Sequence, residues 1–212
     1  MLIKKWRCIG ALLLSSTSIS VQAAPVVLHD TLASASPGWY SGITATQQTA
    51  YRIANPATNV TVNLVTLLIS LQSGSGSTFG VQVCSDGPGG TIPNFADCSG
   101  FTAIDPVTST MANVRFQGSK SFTAGNAIWV VAKSQAAGDI YRWAVGPGPT
   151  TAYITSNSGA TWALDTDEYA LKVEEQAIST PASIPTTTES GLLLMSALLV
   201  FTAWIVNLRK KA

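Results

Sequence analysis

Val60–Leu71 reads VTVNLVTLLISL, and these twelve residues carry the reading of the fold. Val60, Val62 and Leu64 alternate with Thr61, Asn63 and Val65, the period of two that gives a strand one inward and one outward face. Leu67-Leu68-Ile69 then breaks the alternation, which predicts a strand covered on both sides or bulged near its middle. β-branched residues dominate and no helical period of 3.6 runs through the segment.

The same texture extends outward in both directions. Val26–Leu32, Thr49–Ile53, Thr78–Cys84, Ala127–Lys133, Ile140–Val145, Ala152–Ser156 and Glu168–Val173 read as further strands. Ser73-Gly74-Ser75-Gly76-Ser77, Asp86-Gly87-Pro88-Gly89-Gly90, Ala137-Gly138-Asp139 and Gly146-Pro147-Gly148-Pro149 punctuate them as turns. Many short strands with Gly/Pro turns predict an all-β domain, an antiparallel β-sandwich or jelly roll, over residues 25–178. Ala127-Ile128-Trp129-Val130-Val131-Ala132 is the most apolar of the later strands and is expected to be central, with Trp129 filling core.

Both ends of the chain have a different composition. Lys4, Lys5 and Arg7 precede an apolar run from Cys8 to Ile19, and Val21-Gln22-Ala23 then offers small residues before Ala24-Pro25. That order is the pattern of a secretory signal peptide, here residues 1–24, with cleavage after Ala23 or Ala24. At the other end Gly191–Val206 contains no charge, and Arg209, Lys210 and Lys211 follow as a basic stop. The run has no polar face, so a single C-terminal hydrophobic helix over 191–212 is expected to enter a membrane, its basic end inside the cell. Residues 179–190 form a Ser/Thr/Pro spacer between domain and tail.

Half of the twelve basic residues lie in these two terminal signals. Between Pro25 and Ser183 ten acids face six bases, a net charge of −4. Without a basic stripe, nucleic acid is not an expected partner.

Cys8 leaves with the signal peptide, so Cys84 and Cys98 are expected to form a disulfide in an oxidising compartment. They bracket a thirteen-residue stretch, SDGPGGTIPNFAD, that reads as a loop. No Cys-x-x-Cys is present to argue for redox work, and two cysteines with one histidine fall short of a zinc site. Asp86 with Asp97, and Asp165 with Asp167 and Glu168, could at most hold calcium weakly; no other cofactor or metal is expected, and solvated turn acids are the plainer reading. His29, the only histidine, lies in the first strand beside Asp30. The chain lacks a Gly-x-Ser-x-Gly elbow, so a strand histidine is preferred to a catalytic base and no catalytic residue is assigned. Asn59-Val60-Thr61 matches the N-glycosylation triplet. Four aromatic residues, Trp39, Tyr141, Trp143 and Trp162, are candidates for a sugar-stacking platform, with Tyr141 and Trp143 sharing one strand face; core packing is the alternative.

Two resemblances follow from particular residues. Ile184-Pro185-Thr186-Thr187-Thr188-Glu189-Ser190-Gly191, with the apolar run and basic end behind it, resembles the IPTL-CTERM class of bacterial sorting tails. That class typically opens Ile-Pro-Thr-Leu-Ser-Glu-Trp-Gly; Ile184, Pro185, Thr186, Glu189 and Gly191 agree, while Thr187, Thr188 and Ser190 depart. The domain resembles the bacterial choice-of-anchor R surface domain through Asp30-Thr31-Leu32, Val62–Leu67 and Phe122–Val131. These resemblances imply an envelope or matrix protein of Gram-negative type, handled by signal peptidase and a C-terminal sorting or processing enzyme at a bacterial membrane. They bring no catalytic residues. The sequence therefore favours a noncatalytic cell-surface or extracellular-matrix domain. A weak carbohydrate-binding module for envelope or matrix polysaccharide is the first alternative, and a secreted hydrolase the second.

Overall fold

The structure is a computed structural model that describes residues 24–175 except 37, 77 and 149–150. The signal segment up to Ala23, the spacer, the sorting motif, the hydrophobic tail and the basic stop lie outside the described residues. Among the described residues no helix is long and apolar enough to cross a membrane.

Among the described residues thirteen strands form, in chain order β1 (Val26–Asp30), β2 (Tyr40–Ile43), β3 (Gln48–Ile53), β4 (Val60–Ser73), β5 (Phe79–Asp86), β6 (Pro93–Ala103) and β7 (Ala112–Phe122). β8 (Ile128–Ser134), β9 (Ile140–Pro147), β10 (Ala152–Thr155), β11 (Ala163–Leu164), β12 (Asp167–Tyr169) and β13 (Leu171–Glu175) complete it. A single 3-10 turn, Leu32–Ser34, follows β1 where the sequence had extended the strand to Leu32. Every pairing is antiparallel, in the order β1-β13-β4-β7-β6-β5-β8-β3-β10-β11, with β9 joining β4 and carrying β2 and β12. β6 and β7 register only through Thr102–Gln117 and Ala103–Phe116. At that corner the sheet curls, so that β4, β7, β9 and β13 present one inner face and β3, β5 and β8 the other. Their side chains meet in one buried cluster, the sandwich-like core that the alternating pattern predicts.

The decisive strand behaves as its broken alternation requires, with the phase change placed elsewhere. Val60 and Val62 are inward, a bulge falls between Val62 and Leu64, and Val65, Leu67 and Ile69 then take over the core face. Leu64 is only partly buried, a correction to the simple alternation. One extra residue inverts the faces of everything after it.

β4 is long enough for two strands to share one of its edges. β13 pairs with Leu64–Leu67 and β9 with Ile69–Ser73, while β7 occupies the other edge. Ala170 lies between β12, which pairs with β9, and β13, which pairs with β4. Its N–H donates to the Ala144 carbonyl at 3.0 Å. Its own carbonyl accepts from Leu68 N at 3.2 Å and from Trp143 Nε1 at 2.9 Å. Trp143 thus packs edge-on against Tyr169 at 4.8 Å and also ties the junction together.

The second sheet face is not bare. Trp129 is fully buried, but it sits in a satellite cluster with Ala50, Cys84 and Val131 on the face opposite the main core, covered by Tyr153 and Trp162. Ile128 and Val130 on the same strand both point into the main core. The Cys84–Cys98 disulfide, with Cα atoms 4.1 Å apart, joins directly opposed residues of β5 and β6. The stretch between the cysteines is therefore a hairpin rather than the loop its Gly/Pro content predicted. Pro93–Asp97 already belong to β6, and register slips between Cys84 and Asp86.

Candidate functional site

β2, β9 and β4 lie side by side with Tyr141, Trp143 and Val145 turned inward. Strand alternation then forces Arg142 and Ala144 to the outer face. Gly42 is opposite Arg142 on one side and Ser70 on the other, so the guanidinium stands between two small residues. A Cβ built on Gly42 would meet nothing within 4 Å, which means the space beside Arg142 is open. Tyr40, two residues from Gly42 on the same face of β2, offers its ring to Arg142, whose Cζ lies 4.3 Å from the ring centroid. Arg142 Nε donates to Gln72 Oε1 at 3.1 Å.

The backbone bends into β2 through Gly38, whose φ of +81° suits glycine. That bend leaves Trp39 55% and Tyr40 45% exposed, two large aromatic residues adjacent in sequence on the outer surface. With Leu68, Ser70, Met111 and Arg142 they line a groove of about 480 Å³. Its chemistry is that of a binding surface: a flat apolar ring to stack on, an oriented cation, and small hydroxyl-bearing residues at the floor.

The four aromatic candidates part company. Trp39 is in the groove. Trp162 lies on the outer face of the other half of the sheet, stacked on Phe95 at 5.8 Å and donating to the Gly159 carbonyl. Tyr141 and Trp143 do share a strand face, but it is the core face and both are fully buried, so neither can offer a ring to a ligand. Arg142 between them was the signal for their direction, because a cation at that position has to point outward. Arg142 is a groove residue that the sequence reading missed.

Of the five acids weighed for calcium, Asp86, Asp97 and Asp165 are engaged by the protein itself. Asp86 accepts from Trp129 Nε1 at 2.7 Å and faces Arg52 Nε at 3.6 Å. Asp97 accepts from Ser85 and Lys120, which hold its carboxyl below the usual range. Asp165 accepts from the Tyr169 hydroxyl at 2.5 Å, and burial together with that bond pushes the Tyr169 hydroxyl well up. Asp167 is raised by burial, then by the Asp165 charge. Among the described residues no group of three or more His, Cys, Asp or Glu side chains is placed to hold a metal ion.

Asp139 is the most thoroughly used acid. It accepts from Thr78 Oγ1 at 2.6 Å, Ser75 N at 2.8 Å and Tyr141 OH at 3.0 Å, which lowers its pKa and clamps the turn before β9. His29 is half-buried with its ring 5.4 Å from that of Tyr51. Its buried Nε2 has no hydrogen-bond partner among the described residues, and burial lowers its pKa.

The fold is an all-antiparallel β-domain whose curled sheet carries the groove on its outer face. Comparison with known proteins assigns it no family: no family model matches the chain, and no curated protein matches its sequence.

Proposed function

We propose that the chain is exported and that its β-domain serves as a noncatalytic surface or extracellular-matrix module, processed or anchored through its C-terminal tail. The observation that carries this reading is the disulfide between the domain's two cysteines, a bond that belongs to an oxidising compartment. The basic-apolar-small order of the first residues supports passage through the general secretion route, with signal peptidase as first partner. The apolar run and basic end of the last residues, together with their likeness to IPTL-CTERM tails, support a sorting or processing enzyme as the second, acting at a bacterial membrane. The likeness of the domain to choice-of-anchor R domains agrees with an envelope location.

Protease treatment of intact cells tests the reading. Loss of the domain from whole cells, or its presence in the medium, is expected. A domain that resists protease until the cells are lysed, and that carries free thiols, would overturn it.

A second reading rests on the groove. Trp39 exposes more than half of its surface beside an oriented arginine, an arrangement suited to stacking a sugar ring, so the domain binds envelope or matrix polysaccharide weakly. Saturable binding of an oligosaccharide that is lost in Trp39→Ala supports it; binding unaffected by that change contradicts it.

A further inference from the structure

We propose that the groove selects acidic sugars, with Arg142 as the residue that receives the carboxylate and Trp39 as the one that stacks the ring. The inference rests on the polysaccharide reading above and adds the chemical class of the ligand.

Three features of Arg142 point this way. First, no carboxylate of the described residues lies within ion-pair distance of it, whereas Arg52 and Arg115 each face an aspartate. A cation left without a counter-ion in a domain of net negative charge is a selective feature of the surface rather than part of a general attraction. Second, the guanidinium is held in place. Its plane is engaged by Tyr40 at 4.3 Å and its Nε by Gln72 at 3.1 Å, so little side-chain freedom remains to be lost on binding. Among the described residues its two terminal nitrogens have no acceptor, and together they form the fork that matches a carboxylate. Third, a Cβ built on Gly42 would meet nothing within 4 Å, so the approach to Arg142 is open on the β2 side; a larger residue there would wall it off.

Tyr40 is therefore a positioning residue, its face taken by Arg142. Trp39, exposed and adjacent, is left to receive the apolar face of a pyranose ring. A uronic acid presents both parts in one unit, a ring face with axial C–H groups and a carboxylate on its rim. A neutral hexose satisfies only Trp39.

The test is calorimetric titration of the full chain in mild detergent with trigalacturonate and with galactotriose, its neutral counterpart. Trigalacturonate is expected to bind more tightly, to weaken as salt is raised, and to lose about ten- to a hundredfold in affinity in Arg142→Gln, the range for a hydrogen-bonded charge. Arg142→Lys, which keeps the charge without the fork, should recover only part of the loss. Trp39→Ala should weaken both sugars. Circular dichroism melts should show each variant folded at the titration temperature, since Trp39 is exposed and Arg142 lies partly exposed on the outer face.

If both sugars bind equally, lose affinity in Trp39→Ala and ignore Arg142→Gln, the acidic preference is wrong and the polysaccharide reading stands. If neither trigalacturonate nor galactotriose binds at millimolar concentration, both are wrong; if galactotriose alone binds, only the acidic preference is wrong. Binding that neither variant alters places the site elsewhere and also overturns the proposal.

Discussion

Trp143→Phe is the substitution that most sharply separates the two faces of β9. The indole is fully buried, and its N–H bonds to the Ala170 carbonyl, where the chain passes from β12, paired with β9, to β13, paired with β4. Replacing it with phenylalanine removes roughly 40 Å³. At about 24 cal/mol per Å³ an unrelaxed cavity of that size costs about 1 kcal/mol, and lost transfer energy adds about 1 kcal/mol. The Ala170 carbonyl keeps its bond from Leu68 N, so losing the indole partner costs only a normal net hydrogen bond, about 0.5–1.5 kcal/mol. The expected total is about 3 kcal/mol. In a domain of this size that lowers Tm by roughly 6–12 °C. Urea unfolding followed by far-ultraviolet circular dichroism measures it, with the dependence on urea unchanged. Trp39→Phe, made on the exposed ring, should stay within about 0.5 kcal/mol of the parent. If Trp143→Phe costs as little as Trp39→Phe, the inward direction of Tyr141 and Trp143 is wrong, and the groove built on Arg142 falls with it.

Three further outcomes follow from other parts of the domain. Reducing Cys84–Cys98, or replacing both cysteines with serine, should lower unfolding free energy by about 3 kcal/mol, since the bridge closes a loop of about fifteen residues; an unchanged urea midpoint after verified reduction would contradict this. Gly146→Ala should destabilise by about 1–3 kcal/mol in the same assay, because the new Cβ would fall 1.8 Å from the Ser34 carbonyl oxygen, whereas Gly42→Ala meets nothing and should be near neutral. His29, lowered by burial against the smaller opposing influence of Glu168 and Asp30, contributes stability that is complete above its ordinary pKa of 6.5 and is lost as pH falls below 6.5 toward its folded value. An NMR titration should place His29 below 6.5, and His29→Gln should flatten that part of the stability profile; a midpoint above 6.5 would reverse the sign.

What was legible in the sequence divides along physical lines. β4 and β8 announce themselves because apolar β-branched residues fill them, and even the irregularity of β4 showed as a broken alternation. β7 went unread although Val114, Phe116 and Phe122 face inward against Asn113, Arg115 and Gln117. Its polar side is rich and Gly118 interrupts the pattern, a glycine required because the Phe101 ring covers it, 2.6 Å from where a Cβ would sit. β6 buries little beyond Pro93 and Phe101 and carries a register slip, so its residues resemble a loop until pairing with β5 organises them. β2 is four residues long with a glycine inside and gains its conformation from β9.

The disulfide could be read by counting cysteines, but its place between directly opposed residues needed the register. For the groove, the sequence supplied the aromatic residues and the fact that Tyr141 and Trp143 share a face. Which face meets solvent was encoded in Arg142 between them, and the cross-strand neighbours Gly42 and Ser70 become visible only once β2, β9 and β4 are aligned.

Export is the central claim, and intact-mass and peptide mass spectrometry of the natively expressed protein, taken separately from membrane and medium, tests it most directly. The account predicts a species beginning near Ala24 or Pro25 with Cys84 and Cys98 joined. In the medium it should end within residues 179–191 if the tail is removed, and on the membrane it should retain the basic stop if the tail is an anchor. A single cytosolic species that keeps Met1–Ala23 and two free thiols would contradict it.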